Sequence, residues 1–190
     1  MRIFIAIPLP ASTKAFLKGI QEQLKESGSD VKWVETENIH LTLKFLGEAA
    51  DDQLSKAALI LEEVAKDTPS FAIGVSSLGA FPRISSPRII WAGVDKGAKE
   101  AGDIAKTLEE RLSLIGIPKE ERGFSAHITI GRTRSGLNLG RLSKALEEIS
   151  LSEERQGQEF TAARITLFQS TLTPKGPIYA AIKEADLATN

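Results

Sequence analysis

The sequence predicts an α+β fold built on antiparallel sheets. Three observations indicate it: segments of alternating polarity typical of strands, segments with apolar residues at helical spacing, and an order of the two without regular strand–helix–strand repetition. Such an order favours antiparallel sheets over a doubly wound parallel sheet. With 190 residues, 42% of them hydrophobic, the chain suits a single domain, or one domain of two lobes that share a cleft.

The first half of the chain begins with an apolar strand over 2–8 that proline ends. A helix over about 12–27 has Ser12 as its expected N-cap and Gly28 after its last turn. An extended piece at 31–34 and an alternating strand at 40–46 follow. The apolar residues of 51–66 recur at helical spacing and predict a second helix.

The second half begins with strands near 70–77 and 88–94, separated by a loop that Pro82 and Pro87 mark. A helix over 97–115 carries its apolar residues on one side. The remaining expected elements are, in chain order, a strand at 126–131, a short helix at 140–149, and strands at 159–169 and 178–184.

Composition excludes several classes of protein. A net charge of −1 argues against a broadly basic nucleic-acid binder, although it allows a small basic pocket. The chain contains no cysteine, which excludes disulfides, thiolate nucleophiles and cysteine zinc sites, and fits a cytoplasmic protein. No apolar run approaches membrane-spanning length, so no membrane association is expected.

The only two histidines of the chain occur in matching contexts. His40 begins His-Leu-Thr-Leu, and His127 begins His-Ile-Thr-Ile. Because strand side chains at i and i+2 share a face, His40 lies beside Thr42 and His127 beside Thr129, with the intervening aliphatic residues and Phe45 on the opposite, core face. Two such strands facing one cleft would form a nearly symmetric site.

Paired imidazoles suit in-line attack at phosphorus. One neutral imidazole removes a proton from water while a protonated one donates to the leaving oxygen, and histidine serves both roles because its pKa is near neutrality. The two threonine hydroxyls can hydrogen-bond the non-bridging oxygens. No metal and no cofactor is required.

Two other interpretations of the histidines compete with this one. A lone histidine among aliphatic residues on a strand is usually structural, but the repeated motif, which uses every histidine of the chain, favours catalysis. A zinc site is the second alternative, yet the sequence has no HExxH, no cysteine and no carboxylate at a suggestive offset from both histidines.

The two HxTx motifs resemble the signature of the 2H phosphoesterase superfamily. Five stretches are similar to its RNA 2',3'-cyclic phosphodiesterase branch, also called 2'-5' RNA ligase: 1–6, 41–47, 79–82, 87–91 and 124–132. The similarity runs in order along nearly the whole chain, which identifies residues 1–190 as a single two-lobed domain of this family.

The resemblance implies a bilobal, pseudo-two-fold fold with two antiparallel sheets and outer helices around a central cleft. It implies hydrolysis of an RNA 2',3'-cyclic phosphate end to a 2'-phosphomonoester, with His40 as proton donor to the 3'-oxygen and His127 as acceptor from water. The near symmetry lets the pair exchange roles in the reverse path, which resembles 2'-5' ligation of RNA. From the sequence alone, the histidine roles stay open.

Five further residues are candidate substrate ligands. Lys44 shares strand parity with His40 and could extend the basic side of the cleft. Arg132 lies on the opposite parity from His127 and is expected mainly as an anchor at the strand end. Arg83 and Arg88 flank the proline loop and could meet RNA phosphates. Phe81 could stack on a base, while Trp91 is expected to pack in the core. An ordinary solvated side chain is the alternative for Lys44, Arg83 and Arg88.

Two other functions stay open at this point. One is a non-catalytic RNA- or nucleotide-binding module, against which the intact motifs speak. The other is a 2H phosphodiesterase that acts on a small cyclic nucleotide. The sequence indicates no obligate protein partner. It does not reveal the preferred RNA or its length, the oligomeric state, or whether ligation matters in the cell.

Overall fold

The computed structural model describes residues 1–151, 157–174 and 176–189. Its helices are α1 (Ala11–Lys25), α2 (Asp51–Lys66), α3 (Ala98–Ser113) and α4 (Leu139–Leu151). Its strands are β1 (Arg2–Pro8), β2 (Val31–Trp33), β3 (His40–Glu48), β4 (Phe71–Arg83), β5 (Ser86–Val94), β6 (His127–Thr133), β7 (Gln158–Ala162), β8 (Arg164–Thr173) and β9 (Gly176–Asp186). A 3-10 turn, Thr36–Asn38, precedes β3. None of these helices is long and apolar enough to cross a membrane.

The strands form two sheets. The four-stranded sheet has the order β3-β1-β8-β9, and the five-stranded sheet has the order β2-β6-β5-β4-β7. Every pairing within them is antiparallel. The structure therefore confirms the α+β fold with two antiparallel sheets.

Each sheet is covered on one face by two helices. Helices α2 and α3 pack on the four-stranded sheet, and α1 and α4 pack on the five-stranded sheet. The core faces of the two motif strands lie under these helices, where Leu41 and Ile128 are fully buried. The strands β3 and β6 also contact each other, so the two motif-bearing strands adjoin where the sheets meet.

The structure corrects three boundaries expected from the sequence. The proline-marked stretch is mostly strand, because β4 and β5 continue to Arg83 and Ser86, and Pro82 and Pro87 face each other where the register shifts. Proline is tolerated at such irregular pairings. The strand expected over 159–169 divides at Ala163 into β7 and β8, which belong to different sheets. Ser12 is not the N-cap, since α1 begins one residue earlier, after Pro10.

Candidate active site

His40 is held at both ring nitrogens at the start of β3. Its Nδ1 lies 2.7 Å from the carbonyl oxygen of Asn38. Its Nε2 lies 2.9 Å from Oγ1 of Thr42. The first contact comes from the 3-10 turn before the strand, and the second from the residue that shares its strand face. The ring orientation is therefore fixed by its own chain segment.

His127 is held at Nδ1 in the same way at the start of β6. Its Nδ1 lies 2.7 Å from the carbonyl oxygen of Ser125, which is again the residue two positions earlier. Among the described residues, its Nε2 has no hydrogen-bond partner. Thr129 is half-buried like His127 and follows it at the same spacing as Thr42 follows His40.

These contacts determine which nitrogen of each ring is available for proton transfer. A carbonyl oxygen only accepts hydrogen bonds, so each Nδ1 carries a hydrogen and donates it. The neutral rings therefore keep their lone pair on Nε2. In the neutral form of His40, the Thr42 hydroxyl donates to that nitrogen. The site thus offers two Nε2 atoms on adjoining strands, of which that of His40 is bonded to Thr42 and that of His127 is without a partner among the described residues.

Aromatic side chains enclose His40. The ring centroids of Phe4 and Tyr179 lie 4.8 and 5.4 Å from its own, and that of Phe168 lies 6.5 Å away. Burial is the largest effect on His40 and lowers its pKa to about 4. The charge of Lys14 also lowers the pKa, whereas the hydrogen bond to Asn38 raises it. In the free protein, His40 is therefore neutral at pH 7.

This pKa predicts a pH-dependent stability. Between about pH 6.5 and pH 4 the unfolded chain binds a proton at His40 that the folded chain does not, so the free energy of unfolding falls as the pH falls through this range. The loss should reach on the order of 3 kcal/mol at pH 4. Denaturant titrations at several pH values should show this component in the wild type and not in His40→Gln. Equal pH dependence in both would show that the folded ring titrates normally.

A β-bulge after Thr42 reverses the expected orientation of Lys44. The pairing of β1 with β3 shifts register between the pairs Ala6–Thr42 and Ile5–Lys44, so one residue of β3 is left without an opposite partner. The prediction that Lys44 extends the basic side of the cleft is therefore wrong, as is the alternative of a solvated lysine. Its side chain is only 2% exposed, and Phe45, expected in the core, is 52% exposed.

Lys44 instead forms a buried ion pair behind the site. Its Nζ lies 2.8 Å from a carboxylate oxygen of Glu109 on α3 and 3.6 Å from one of Glu120. It also donates to the carbonyl oxygen of Pro118 at 2.9 Å. Lys44 thus joins the strand that carries His40 to the segment that leads towards β6.

A matching bulge after Thr129 has the opposite consequence for Arg132. The pairing of β5 with β6 shifts register between Trp91–Thr129 and Ile90–Gly131. Gly131 is consequently buried, and Arg132 is exposed on the face that carries His127. The positive charge of Arg132 acts on Tyr179 across the two sheets, although burial is the larger effect and raises the pKa of that hydroxyl. The strand parity expected for Arg132 is therefore wrong.

Two aromatic residues pack beside His127. Phe81 contacts its ring edge-on, with centroids 5.0 Å apart, and Trp91 lies 6.4 Å from it. Trp91 is half-buried and lies over Gly79, where an added Cβ would stand 2.3 Å from the indole. The expectation that Trp91 packs in the core is therefore wrong. Phe81 is half-buried next to the motif, and its role as a base platform stays a prediction.

The remaining candidates, Arg83 and Arg88, are not among the described residues that contact the two histidine rings. Arg83 and Arg88 are exposed at the end of the β4–β5 hairpin. Sequence reasoning missed Phe4, Phe168, Tyr179 and Lys14, all of which act on His40. Phe4 lies in the apolar strand that the sequence predicted, but it is buried like its neighbours Ile3 and Ile5, so nothing in that run singled it out. The others come from distant segments and leave no local signal. Within the described part of the chain, no three His, Asp or Glu side chains are grouped to hold a metal.

Comparisons with known proteins identify the family of this chain. The family model described as LigT like Phosphoesterase matches residues 7–91 and 93–179, and each matched segment contains one motif. Among curated proteins, the RNA 2',3'-cyclic phosphodiesterase of Methanocaldococcus jannaschii is 38% identical over 184 residues, covering 97% of this chain and 99% of that protein. The protein of the same name from Thermotoga maritima is 36% identical over 184 residues, covering 97% and 94%.

A solved structure shares the whole architecture. The crystal structure of TT0787 of Thermus thermophilus superposes with a TM-score of 0.80 at 25% identity, covering 98% of both chains. The family model covers most of the chain, including both histidine motifs, and the relatives align over nearly the full length. The chain therefore belongs to the LigT-like phosphoesterases, the 2H phosphoesterase family that its sequence resembles.

Proposed function

We propose that this chain hydrolyses RNA 2',3'-cyclic phosphate ends to 2'-phosphomonoesters, with His40 and His127 as the acid–base pair and without a metal. One observation carries the proposal: both rings are fixed through Nδ1 to a carbonyl, which leaves two Nε2 atoms on adjoining strands. The curated relatives named RNA 2',3'-cyclic phosphodiesterase support the substrate class.

The proposed reaction is an in-line displacement. Water attacks phosphorus as its proton passes to one neutral Nε2, and the bond from phosphorus to the 3'-oxygen breaks as the other, protonated Nε2 donates to that oxygen. Thr42 and Thr129 hydrogen-bond the non-bridging oxygens, where charge accumulates. Arg132, exposed on the same face, supplies a positive charge for the phosphate or the ribose.

The two histidines are assigned by the family resemblance, with His40 as donor and His127 as acceptor. Burial keeps His40 neutral in the free protein, so the donor role requires the bound phosphate to raise its pKa. A negative charge at hydrogen-bond distance acts in that direction. The aromatic enclosure of His40 would strengthen this effect by keeping water away from the pair.

The proposal extends to the chain as a whole. Each lobe supplies one motif, so residues 1–190 would act as a single two-lobed domain. The same site would admit 2'-5' RNA ligation as a minor activity. A cytoplasmic location fits a chain without cysteine.

The test is an oligoribonucleotide with a 2',3'-cyclic phosphate end, incubated with the protein in buffer that contains EDTA. We expect a 2'-phosphate product, identified by chromatography against 2'- and 3'-phosphate standards, because the 3'-oxygen is the leaving group and no metal takes part. The linear 3'-phosphate serves as control and should remain unchanged. A 3'-phosphate product, or activity that EDTA abolishes and zinc restores, would contradict the proposal.

A further inference from the structure

A second concave surface lies outside the histidine face. A cavity of about 550 Å³ separates α1 from the segment 31–37. Lys18, Gln21 and Lys25 line it from the helix, and Lys32 in β2 and Arg134, directly after β6, line it from the five-stranded sheet. Neither histidine contributes to it. We call this surface the α1 groove.

The groove has a small excess of positive charge in a chain whose net charge is −1. Four cations and three carboxylates line it, the latter being Glu22, Glu35 and Glu37. Glu22 is paired with Lys25 at 2.7 Å. Lys18, Lys32 and Arg134 have no carboxylate within salt-bridge distance in the described part of the chain, so their charges remain available to an anion.

Lys14 links the helix face of the groove to His40. Lys14 lies one helical turn before Lys18 on the same face of α1, and its Nζ donates to the carbonyl oxygen of Glu37 at 2.8 Å. The next carbonyl, that of Asn38, accepts from the ring of His40. The face from Lys14 to Lys25 extends about 16 Å from this point, a length suited to a few nucleotides.

The opposite wall of the groove is also connected to the site. Lys32 lies opposite Arg132 in the pairing of β2 with β6. Its Nζ is also close to the start of β9, since a Cβ added to Gly176 would lie 3.8 Å from it.

The base of the groove is rigid, because the buried amide of Gln21 donates to the carbonyl oxygens of Val34 and Ile130 at 2.8 Å each. A ligand would therefore meet a preformed surface.

We propose that the α1 groove binds the single-stranded RNA that precedes the cyclic phosphate, with Lys18, Lys32 and Arg134 contacting its backbone phosphates. The inference rests on the proposed function, since it assigns to that substrate the chain beyond its terminal nucleotide. Recognition is independent of base sequence, because lysine and arginine contacts to phosphates carry no sequence information.

The first experiment compares two substrates, 2',3'-cyclic AMP and an RNA of about ten nucleotides that ends in the same cyclic adenosine. For Lys18→Ala combined with Lys32→Ala, the ratio of kcat/KM for the RNA to kcat/KM for the mononucleotide should fall about ten-fold. The slope of log kcat/KM against log salt for the RNA should become shallower by about 0.7 for each lost contact. Lys106→Ala, an exposed lysine on α3, should leave both quantities unchanged.

An unchanged ratio with both substrates hydrolysed would overturn the groove while leaving the proposed function intact. The groove can also be tested if no hydrolysis occurs, by fluorescence anisotropy with a labelled RNA that ends in a 2'-phosphate. The double variant should bind it about ten-fold more weakly, and Glu35→Gln should bind it more tightly, because one repelling carboxylate is removed. Displacement by a polyglutamate peptide as effective as by unlabelled RNA would overturn the assignment to RNA.

Discussion

His40→Ala and His127→Ala should each lower kcat by about 10²- to 10⁴-fold. Each substitution removes one of the two Nε2 atoms between which the proposed proton transfers are divided. The double variant should be little slower than the more affected single variant, since groups that act as a unit are not additive. Steady-state kinetics on the cyclic-phosphate RNA measures this, with circular dichroism to show that each variant is folded.

A substrate that needs no acid would separate the two histidines. In a nitrophenyl phosphodiester, the nitrophenolate leaves without needing a proton. The variant that lacks the proton donor should therefore lose far less activity on this substrate than the variant that lacks the acceptor. If His40 is the donor, His40→Ala should recover and His127→Ala should not. Near-normal turnover of the RNA by either variant would defeat the acid–base assignment.

Glu109→Gln should destabilise the protein by about 3 kcal/mol. The substitution leaves the ammonium of Lys44, which is 2% exposed, with Glu120 at 3.6 Å as its remaining carboxylate. A buried charge that loses its partner costs more than the pair contributes. Lys44→Met should cost less, because it removes the buried charge itself and Glu109 can be hydrated. Denaturant titration of both variants and of the double variant gives the coupling between the two residues.

The surface pair of Lys99 and Asp103 is the matched control. In this pair the Nζ of Lys99 also lies 2.6 Å from a carboxylate oxygen, that of Asp103, but the two side chains are 84% and 64% exposed. Lys99→Met should change the free energy of unfolding by no more than about 0.5 kcal/mol. If Glu109→Gln proved as mild as this control, Lys44 would be hydrated in solution, contrary to its burial in the structure.

Local patterns in the sequence were sufficient for the fold class and for finding both motifs. The alternation in His40–Leu43 and in His127–Ile130 predicted a polar face and a core face, and the structure places Leu41 and Ile128 in the core. This works because side-chain direction along a regular strand depends only on residue spacing. For a similar reason, both ends of the helix over 51–66 were predicted correctly: its apolar residues recur at helical spacing without interruption.

The same rule failed beyond each threonine. Both strands carry a bulge one residue after the motif threonine, and each bulge exchanges the two faces for the residues that follow. Lys44 was expected in the cleft and is buried, whereas Arg132 was expected on the other face and is exposed beside the site. One structural feature, repeated in both motif strands, accounts for both errors.

By itself, the sequence determined the two catalytic candidates, the threonines beside them and the family, because these depend on residue type and short spacing. Only the tertiary structure decided which basic residues reach the substrate side and what surrounds each ring. A bulge depends on partners far away in the chain, as when Gln21 donates to the carbonyl oxygen of Ile130, 109 residues later. Such non-local hydrogen bonds leave no periodic trace in the sequence, and they set the strand faces on which the site is built.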